Sequence, residues 1–279
     1  MKRKDFSNKI PARGNMSPNP GRSCVLVVAG TSDARRIIEE LGRIGLAVCA
    51  TVTTGFGEEL LKDMKNVRVI REKLESEGLA HLIAETDAGC LLDASHPFAA
   101  RASANAIEAC ALAGIPYMRY ERADAMQDAQ NVIRAENFED AAEIVRKKEG
   151  NIFLTIGSRH LEEFARRMPD FKKRVFARVL PDSGSIRDCE ALGLSAGNIF
   201  AAKGPFSEEM NLETFRHFNI SVVVAKDSGE EGGTPQKIRA ASRLGIPVVL
   251  VKRPGVEYPA RVSTVEGAVL FAQSIMNGR

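Results

Sequence analysis

The chain has 279 residues, of which 44% are hydrophobic, 27% charged and 6% aromatic, with no Trp. At roughly 150 residues per domain this is one large domain or two modest ones, and the composition excludes a collagenous, fibrous or wholly disordered chain. The formal charge of +3 is uneven: six basic side chains (Lys2, Arg3, Lys4, Lys9, Arg13, Arg22) face only Asp5, so residues 1–22 carry +5 and the remainder −2. With the basic excess confined to that segment and only three Tyr, nothing resembles a nucleic-acid platform. Five cysteines with no C-x-x-C pair, four of them in or beside apolar runs, fit small core residues in a reducing, cytoplasmic setting. No apolar stretch reaches the roughly 18 to 20 residues of a spanning helix, and the N-terminus has charge but no hydrophobic signal region, so no membrane partner is expected.

Residues 1–22, with Pro11, Gly14, Pro18, Pro20 and Gly21 among scattered charges, show no periodicity and predict a disordered tail. At Cys24 the pattern changes to a continuous apolar run, as in a parallel strand covered on both faces. Strand-like runs follow near 47–53, 67–70, 89–93 and 116–119, with helices near 33–44, 57–64, 76–86 and 98–113. After a polar stretch the rhythm restarts, with strands near 132–135, 151–156, 174–180, 198–202, 221–225 and 247–251. Helices are expected near 138–148, 160–167, 184–192, 207–217 and 234–244, and a last one near 264–276. The fold class is therefore α/β: two doubly wound, Rossmann-like domains with parallel sheets, at 23–120 and 132–255 about a hinge at 121–131, with 256–279 closing the chain. Ligands are expected at carboxyl ends of strands, in the cleft between the domains.

The first such end reads Ala29-Gly30-Thr31-Ser32-Asp33-Ala34-Arg35. Glycine lets backbone approach a pyrophosphate, and a helix start offers free N–H groups, but this is not a full G-x-G-x-x-G fingerprint. The alternative is a plain strand-to-helix turn capped by Ser32 or Asp33. The second end reads Asp93-Ala94-Ser95-His96-Pro97-Phe98-Ala99, where Pro97 suits a first helical turn, Ser95 is placed to cap it, and His96 projects from the sheet edge, either toward a cofactor or as a structural histidine. His81, His160 and His217 fall in helices or their first turns and read as surface residues. In the second half, Gly157-Ser158, Lys203-Gly204-Pro205-Phe206-Ser207 and Lys226-Asp227-Ser228-Gly229 with the glycines to Thr234 all stand at strand ends, which favours one shared ligand over separate turns. The glycine loop lacks the G-K-[ST] ending of an ATPase, and no His/Cys/Asp cluster has metal-ligand spacing.

These elements together resemble the precorrin-6A reductase family of cobalamin biosynthesis, from about Cys24 to Pro254. Thr53-Thr54-Gly55-Phe56-Gly57-Glu58-Glu59-Leu60 and Arg178-Val179-Leu180-Pro181 are most similar to members acting on the cobalt-containing substrate. The resemblance implies an oxidoreductase that reduces the C18=C19 bond of (cobalt-)precorrin-6A to the 6B compound with NADPH or NADH, without a protein-bound metal. It assigns Gly30, Thr31, Ser32, Asp33, Thr53, Ser95, His96 and Pro97 to the cofactor. Gly157, Ser158, Lys203, Gly204, Pro205, Phe206, Ser207, Lys226, Ser228, Gly229 and Lys237 fall to the tetrapyrrole, whose carboxylates the lysines suit. His96 and Lys226 are the expected catalytic residues. The chain departs from the family pattern at Glu72-Lys73, where many members have Gly-Arg, and at Lys203, where cobalt-pathway relatives often carry Gln. The second strand ends in Thr51, Thr53 and Thr54 with no acid to grip an NAD ribose, which leans toward NADP. The rival readings are another NAD(P)-dependent reductase, although no Tyr-x-x-x-Lys pair is present, and a non-catalytic nucleotide-sensing module.

Overall fold

The computed structural model describes residues 24–122, 130–230 and 232–278. The tail expected over 1–22 and most of the hinge expected over 121–131 lie outside the described residues. The first series of elements is β1 (Cys24–Val28), α1 (Ser32–Arg43), β2 (Val48–Val52), α2 (Gly55–Leu61), β3 (Val67–Arg71), α3 (Ser76–Glu85), β4 (Ala88–Asp93), α4 (Ala100–Ala113) and β5 (Tyr117–Tyr120). The second opens with β6 (Val132–Ala135), α5 (Phe138–Arg146), β7 (Asn151–Thr155), α6 (Leu161–Arg167), α7 (Phe171–Arg174) and β8 (Val175–Val179). It continues through α8 (Ser183–Ala191), β9 (Ile199–Ala201), α9 (Glu208–His217), β10 (Ile220–Lys226), α10 (Thr234–Arg243) and β11 (Val248–Val251). The described chain ends with β12 (Arg261–Val262) and α11 (Val265–Met276).

These strands build two six-stranded sheets, ordered β12-β5-β4-β1-β2-β3 and β6-β11-β10-β7-β8-β9, and every pairing is parallel. The first sheet runs outward from β1 to β3 and then reverses through β4, and the second runs from β7 to β9 and reverses through β10 to end with β11 beside β6, so the doubly wound reversals fall between β1 and β4 and between β7 and β10. Burial explains the apolar runs: all five residues of β1 and all six of β4 are enclosed because helices cover both faces. Helix α1 shows the complementary pattern, with Ile37, Ile38 and Leu41 turned inward, each worth about 1.5–3 kcal/mol on full burial.

The sixth strand of the first sheet comes from the far end of the chain. The two-residue β12, too short to carry a periodic signal, pairs with β5, and Ala268 and Ala272 of α11 join the core beside Ile37, Val27 and Leu92. The chain therefore passes between the sheets twice. Arg253 staples these crossings together, its Nη1 donating to Arg122 O at 2.6 Å and its Nε to Asp227 O at 3.0 Å.

Two local expectations are corrected. Helix α4 starts at Ala100 with Ala99 as N-cap and no side-chain cap bond, so Pro97 precedes the helix and Ser95 does not cap it; Ser95 is held in the core network described below. The cap of α1 is Thr31, whose Oγ1 accepts from Ala34 N at 3.1 Å, not Ser32 or Asp33. Asp33 is spent on a buried ion pair instead.

All five cysteines are free and buried. Burial pushes the Cys49, Cys110 and Cys189 thiols to about 11, 12 and 11 and raises Cys24 as well. A thiol reagent should therefore label none of them in the folded protein and all five after denaturation, since the thiolate is the reactive form. Fast labelling of any native cysteine would contradict this core assignment.

Candidate active site at the two switch points

At the first switch point the loops after β1 and β4 are bound to each other. Ala94 N donates to Val28 O at 3.0 Å, and Thr31 Oγ1 donates to Ala94 O at 3.0 Å. Gly30 sits at φ +140°, a conformation open to glycine, and a side chain there would meet nothing within 4 Å, so its backbone faces open space. Thr31, Asp33, Ala94, Ser95, Pro97, Tyr120 and Arg122 line a small recess beside it. A glycine turn that opens a helix at the carboxyl end of a strand is where a nucleotide's phosphate is expected. The donor set fits such a group: a glycine backbone, the start of α1 and the Arg122 guanidinium. Gly30, Thr31, Ser32, Asp33, Ser95 and Pro97 thus come together here. Thr53 lies apart, exposed beyond β2, next to Thr54, the N-cap of α2.

Beneath this loop pair is a buried polar core. Arg119 and Asp93 are 1% and 0% exposed and 2.9 Å apart. The same Arg119 Nη1 reaches Ser95 Oγ at 3.0 Å and Asp93 O at 3.3 Å, while Tyr117 OH donates to Asp93 Oδ2 at 2.8 Å. Ser95 N donates to Asp93 Oδ1 at 3.0 Å. The shape of the Ser95-His96 loop is therefore set by a strand-borne ion pair. His96 Nδ1 accepts from Phe98 N at 3.1 Å. Its side chain is exposed. Partial desolvation, and then the positive charges of Lys226, Arg122, Lys237 and Arg119, push its pKa well below the ordinary imidazole value. A neutral ring at physiological pH can hydrogen-bond a ligand without adding charge.

The second switch point carries Lys226 as the last residue of β10, Ser228 and Gly229 just beyond it, and Gly157-Ser158 after the adjacent β7. Thr234 Oγ1 donates to Lys226 O at 3.1 Å and accepts from Ser228 N at 3.3 Å, folding the glycine loop back onto the strand. A Cβ on Gly232 would lie 2.0 Å from Ser228 Oγ, so only glycine permits this approach. Ser158 Oγ donates to Asp188 at 2.8 Å. Gly204 to Ser207 lie farther along the edge, after β9, where Ser207 caps α9 through Met210 N. Lys203 places its ammonium 3.2 Å from the Phe56 ring centroid, joining the two sheets' loops across the cleft. Lys237 is only 7% exposed on α10, so it is not an open rim cation.

The two switch points confront each other through residues that motif reading passed over. Arg122 pairs with Asp33 at the start of α1 and donates through Nη1 to Ser228 O at 3.0 Å. A run of rings crosses the cleft: His96 and Phe98 with centroids 5.9 Å apart, Phe98 and Phe138 at 5.8 Å, and Phe138 stacked on His160 at 3.8 Å. The Lys226 ammonium stands 5.4 Å from the Phe98 centroid and 5.5 Å from that of Phe138. Burial, and then Arg159, lower its pKa to about 8 against the opposing pull of Glu163. His160, expected on the surface, is half-buried in this stack with Nδ1 3.2 Å from Glu163, whereas His81 and His217 are exposed. A signal existed for Arg119 and Arg178, since an arginine inside an apolar strand calls for a buried partner. None marked Arg122, which lies between elements.

Among the described residues, no group of three or more His, Cys, Asp or Glu is arranged to hold a metal ion, and no helix is long and apolar enough to cross a membrane.

Paired Rossmann-like domains whose switch points meet across a cationic, ring-lined cleft define a two-domain α/β protein of the reductase type. The family model described as precorrin-6x reductase CbiJ/CobK matches residues 24–273, and the chain belongs to that family of oxidoreductases. Relatives include the cobalt-precorrin-6A reductase of Methanothermobacter thermautotrophicus, 43% identical over 88% of this chain and 80% of its own. That of Priestia megaterium is 38% identical over 88% and 96%. The precorrin-6A reductase of Rhodobacter capsulatus is 32% identical over 88% and 94%. A solved structure, CobK precorrin-6A reductase, superposes with a TM-score of 0.76 at 27% identity, covering 91% of this chain and 97% of that one.

Proposed function

We propose that the protein reduces the C18=C19 double bond of cobalt-precorrin-6A to the cobalt-precorrin-6B level at the expense of NADPH. The observation that carries this reading is the placement of Lys226 over Phe98 and Phe138, which puts a cation and flat apolar faces between the two switch points. A conjugated macrocycle with a carboxylate rim needs both. The relatives with 43% and 38% identity are named for the cobalt-containing substrate, which favours it here over the metal-free one.

The reduced nicotinamide, when bound, supplies the hydride. Every other task falls to the chain. Gly30, the start of α1 and Arg122 hold the phosphates, while His96, kept neutral, is an uncharged hydrogen-bonding partner beside them. The rings of Phe98, Phe138 and His160 exclude water and align the macrocycle, since alignment at near-attack distance supplies most of the rate enhancement in such a reaction. Lys226 delivers a proton to the ring carbon that does not receive the hydride, becoming a neutral amine that takes a proton back from water. Hydride plus proton balance the saturation of one C=C bond. A lysine pKa near 8 suits a general acid at neutral pH.

NADPH is favoured over NADH by Arg71, which pairs with Val52 across the sheet, holds Nη1 3.1 Å from the position a Cβ on Gly55 would take and is oriented there by Glu58 Oε2 at 3.0 Å. That is where a 2′-phosphate is expected. The test is anaerobic assay of the purified protein with cobalt-precorrin-6A and either nucleotide, following nicotinamide absorbance and product mass. The expected result is NADPH consumption with a product heavier by one hydride and one proton, NADH being the poorer donor. No turnover with either tetrapyrrole would overturn the reading, while preference for metal-free precorrin-6A would overturn the cobalt assignment.

A further inference from the structure

The segment that leaves β11 grips the residue after Lys226 by its N–H, its carbonyl and its carboxylate. Asp227 N donates to Val251 O at 3.0 Å, Asp227 O accepts from Arg253 Nε at 3.0 Å, and Asp227 Oδ1 stands 3.7 Å from Arg253 Nη2. The pair is enclosed, the Arg253 side chain being 11% and that of Asp227 5% exposed. Ser228 N donates back to Lys226 O at 2.9 Å, so the chain turns tightly here. The direction in which Lys226 leaves β10 therefore depends on how Asp227 is held.

The same guanidinium reaches the nucleotide side of the cleft. Arg253 Nη1 donates to Arg122 O at 2.6 Å, with Glu121 Oε1 4.0 Å from that nitrogen. Arg122 lines the recess, pairs with Asp33 and sends its own Nη1 to Ser228 O at 3.0 Å. Two arginine side chains thus tie Arg122 to the Asp227-Ser228 turn in parallel, one from each passage of the chain between the sheets. The carbonyls that Arg253 joins lie 131 and 26 residues away in the chain. A planar fork holds two such acceptors at a fixed separation, which the single nitrogen of an ammonium does not. Arg253 is not among the residues that line the recess and has no place in the run of rings, so it acts through Arg122 and Lys226.

We propose that Arg253 is a positioning residue for the reduction, holding the arginine that takes the nucleotide phosphate and the lysine that delivers the proton in one frame. This rests on the reductase reading above and adds a residue that no motif marked. When Arg253 is lost, Arg122 still has Asp33 and Ser228 O, and Lys226 still has its place in β10 beside Val251. Each ligand therefore keeps its own contacts, and what is lost is the registration of one against the other. A misplacement of about 1 Å can cost about 100-fold in rate.

The test compares the full-length wild type, Arg253→Met and Arg253→Lys by steady-state kinetics with cobalt-precorrin-6A and NADPH, and by equilibrium dialysis of each ligand alone. Arg253→Met should lower kcat roughly 10- to 100-fold while the Kd of each ligand alone stays near the wild-type value. Arg253→Lys keeps a cation beside Asp227 and should fold as the wild type does, yet its kcat should stay low, because one ammonium does not hold both carbonyls. Circular dichroism checks the fold, and if the Met variant does not fold, the Lys variant still decides. A wild-type kcat in either folded variant, or a loss carried wholly by weaker ligand binding, would overturn the positioning role while leaving the reductase reading intact. A wild type that reduces neither cobalt-precorrin-6A nor the metal-free compound would overturn the reductase reading itself.

Discussion

Arg119→Met is expected to lower the free energy of unfolding by about 3–5 kcal/mol, because it strands the Asp93 carboxylate in a site with no solvent. The pair is fully enclosed, and Asp93 also receives Tyr117 OH and Ser95 N, so deleting the guanidinium unbalances the whole network. The guanidinium further lies 5.3 Å from the Tyr258 ring centroid, which is lost as well. Urea unfolding monitored by circular dichroism measures the change. The double variant Asp93→Asn with Arg119→Met should recover much of the loss, since removing both charges is far less costly than leaving one. Because Arg119 also holds Ser95 Oγ, the single variant should weaken nucleotide binding even where it remains folded. A destabilisation below about 1 kcal/mol would mean that water reaches Asp93, and the buried-pair account would fail.

Lys226→Met is expected to reduce kcat/KM by roughly 10²- to 10⁴-fold, the range of a lost general acid. The sign of the pH dependence follows from its pKa of about 8: the proton-bearing form dominates below that value, so wild-type kcat/KM should fall as pH rises through it. In the Met variant that limb should vanish. Lys226→Arg divides charge from proton supply, because arginine stays charged and does not release its proton in the working range. It should restore KM toward the wild-type value while kcat remains low. If kcat recovers with arginine, Lys226 acts only as a cation and the proton comes from elsewhere.

The parallel strands and their helices were legible because the signal is local. A strand covered on both faces must be apolar throughout, as β1 and β4 are, and an amphipathic helix repeats its inward face within a few residues, as α1 does. The loops that follow β1, β4 and β10 stood out because small and polar residues interrupt those runs at a carboxyl edge. Local signals also misled. Pro97 and Ser95 read as a helix start, yet Ser95 is held by Arg119, 24 residues away, and the chain makes a separate turn, with Ala99 N donating to His96 O at 2.7 Å, before the helix begins at Ala100.

The sequence by itself determined the two doubly wound units, the order of the loops and the residue types able to bind a nucleotide and a polyanion. Only the tertiary structure decided which charges meet. Asp93 with Arg119, Asp33 with Arg122 and Arg122 with Ser228 are separated by 26, 89 and 106 residues, and no periodicity links them. Strand order brings them together, since adjacency in a sheet that reverses at β1 and β4, and again at β7 and β10, is set by the packing of whole elements.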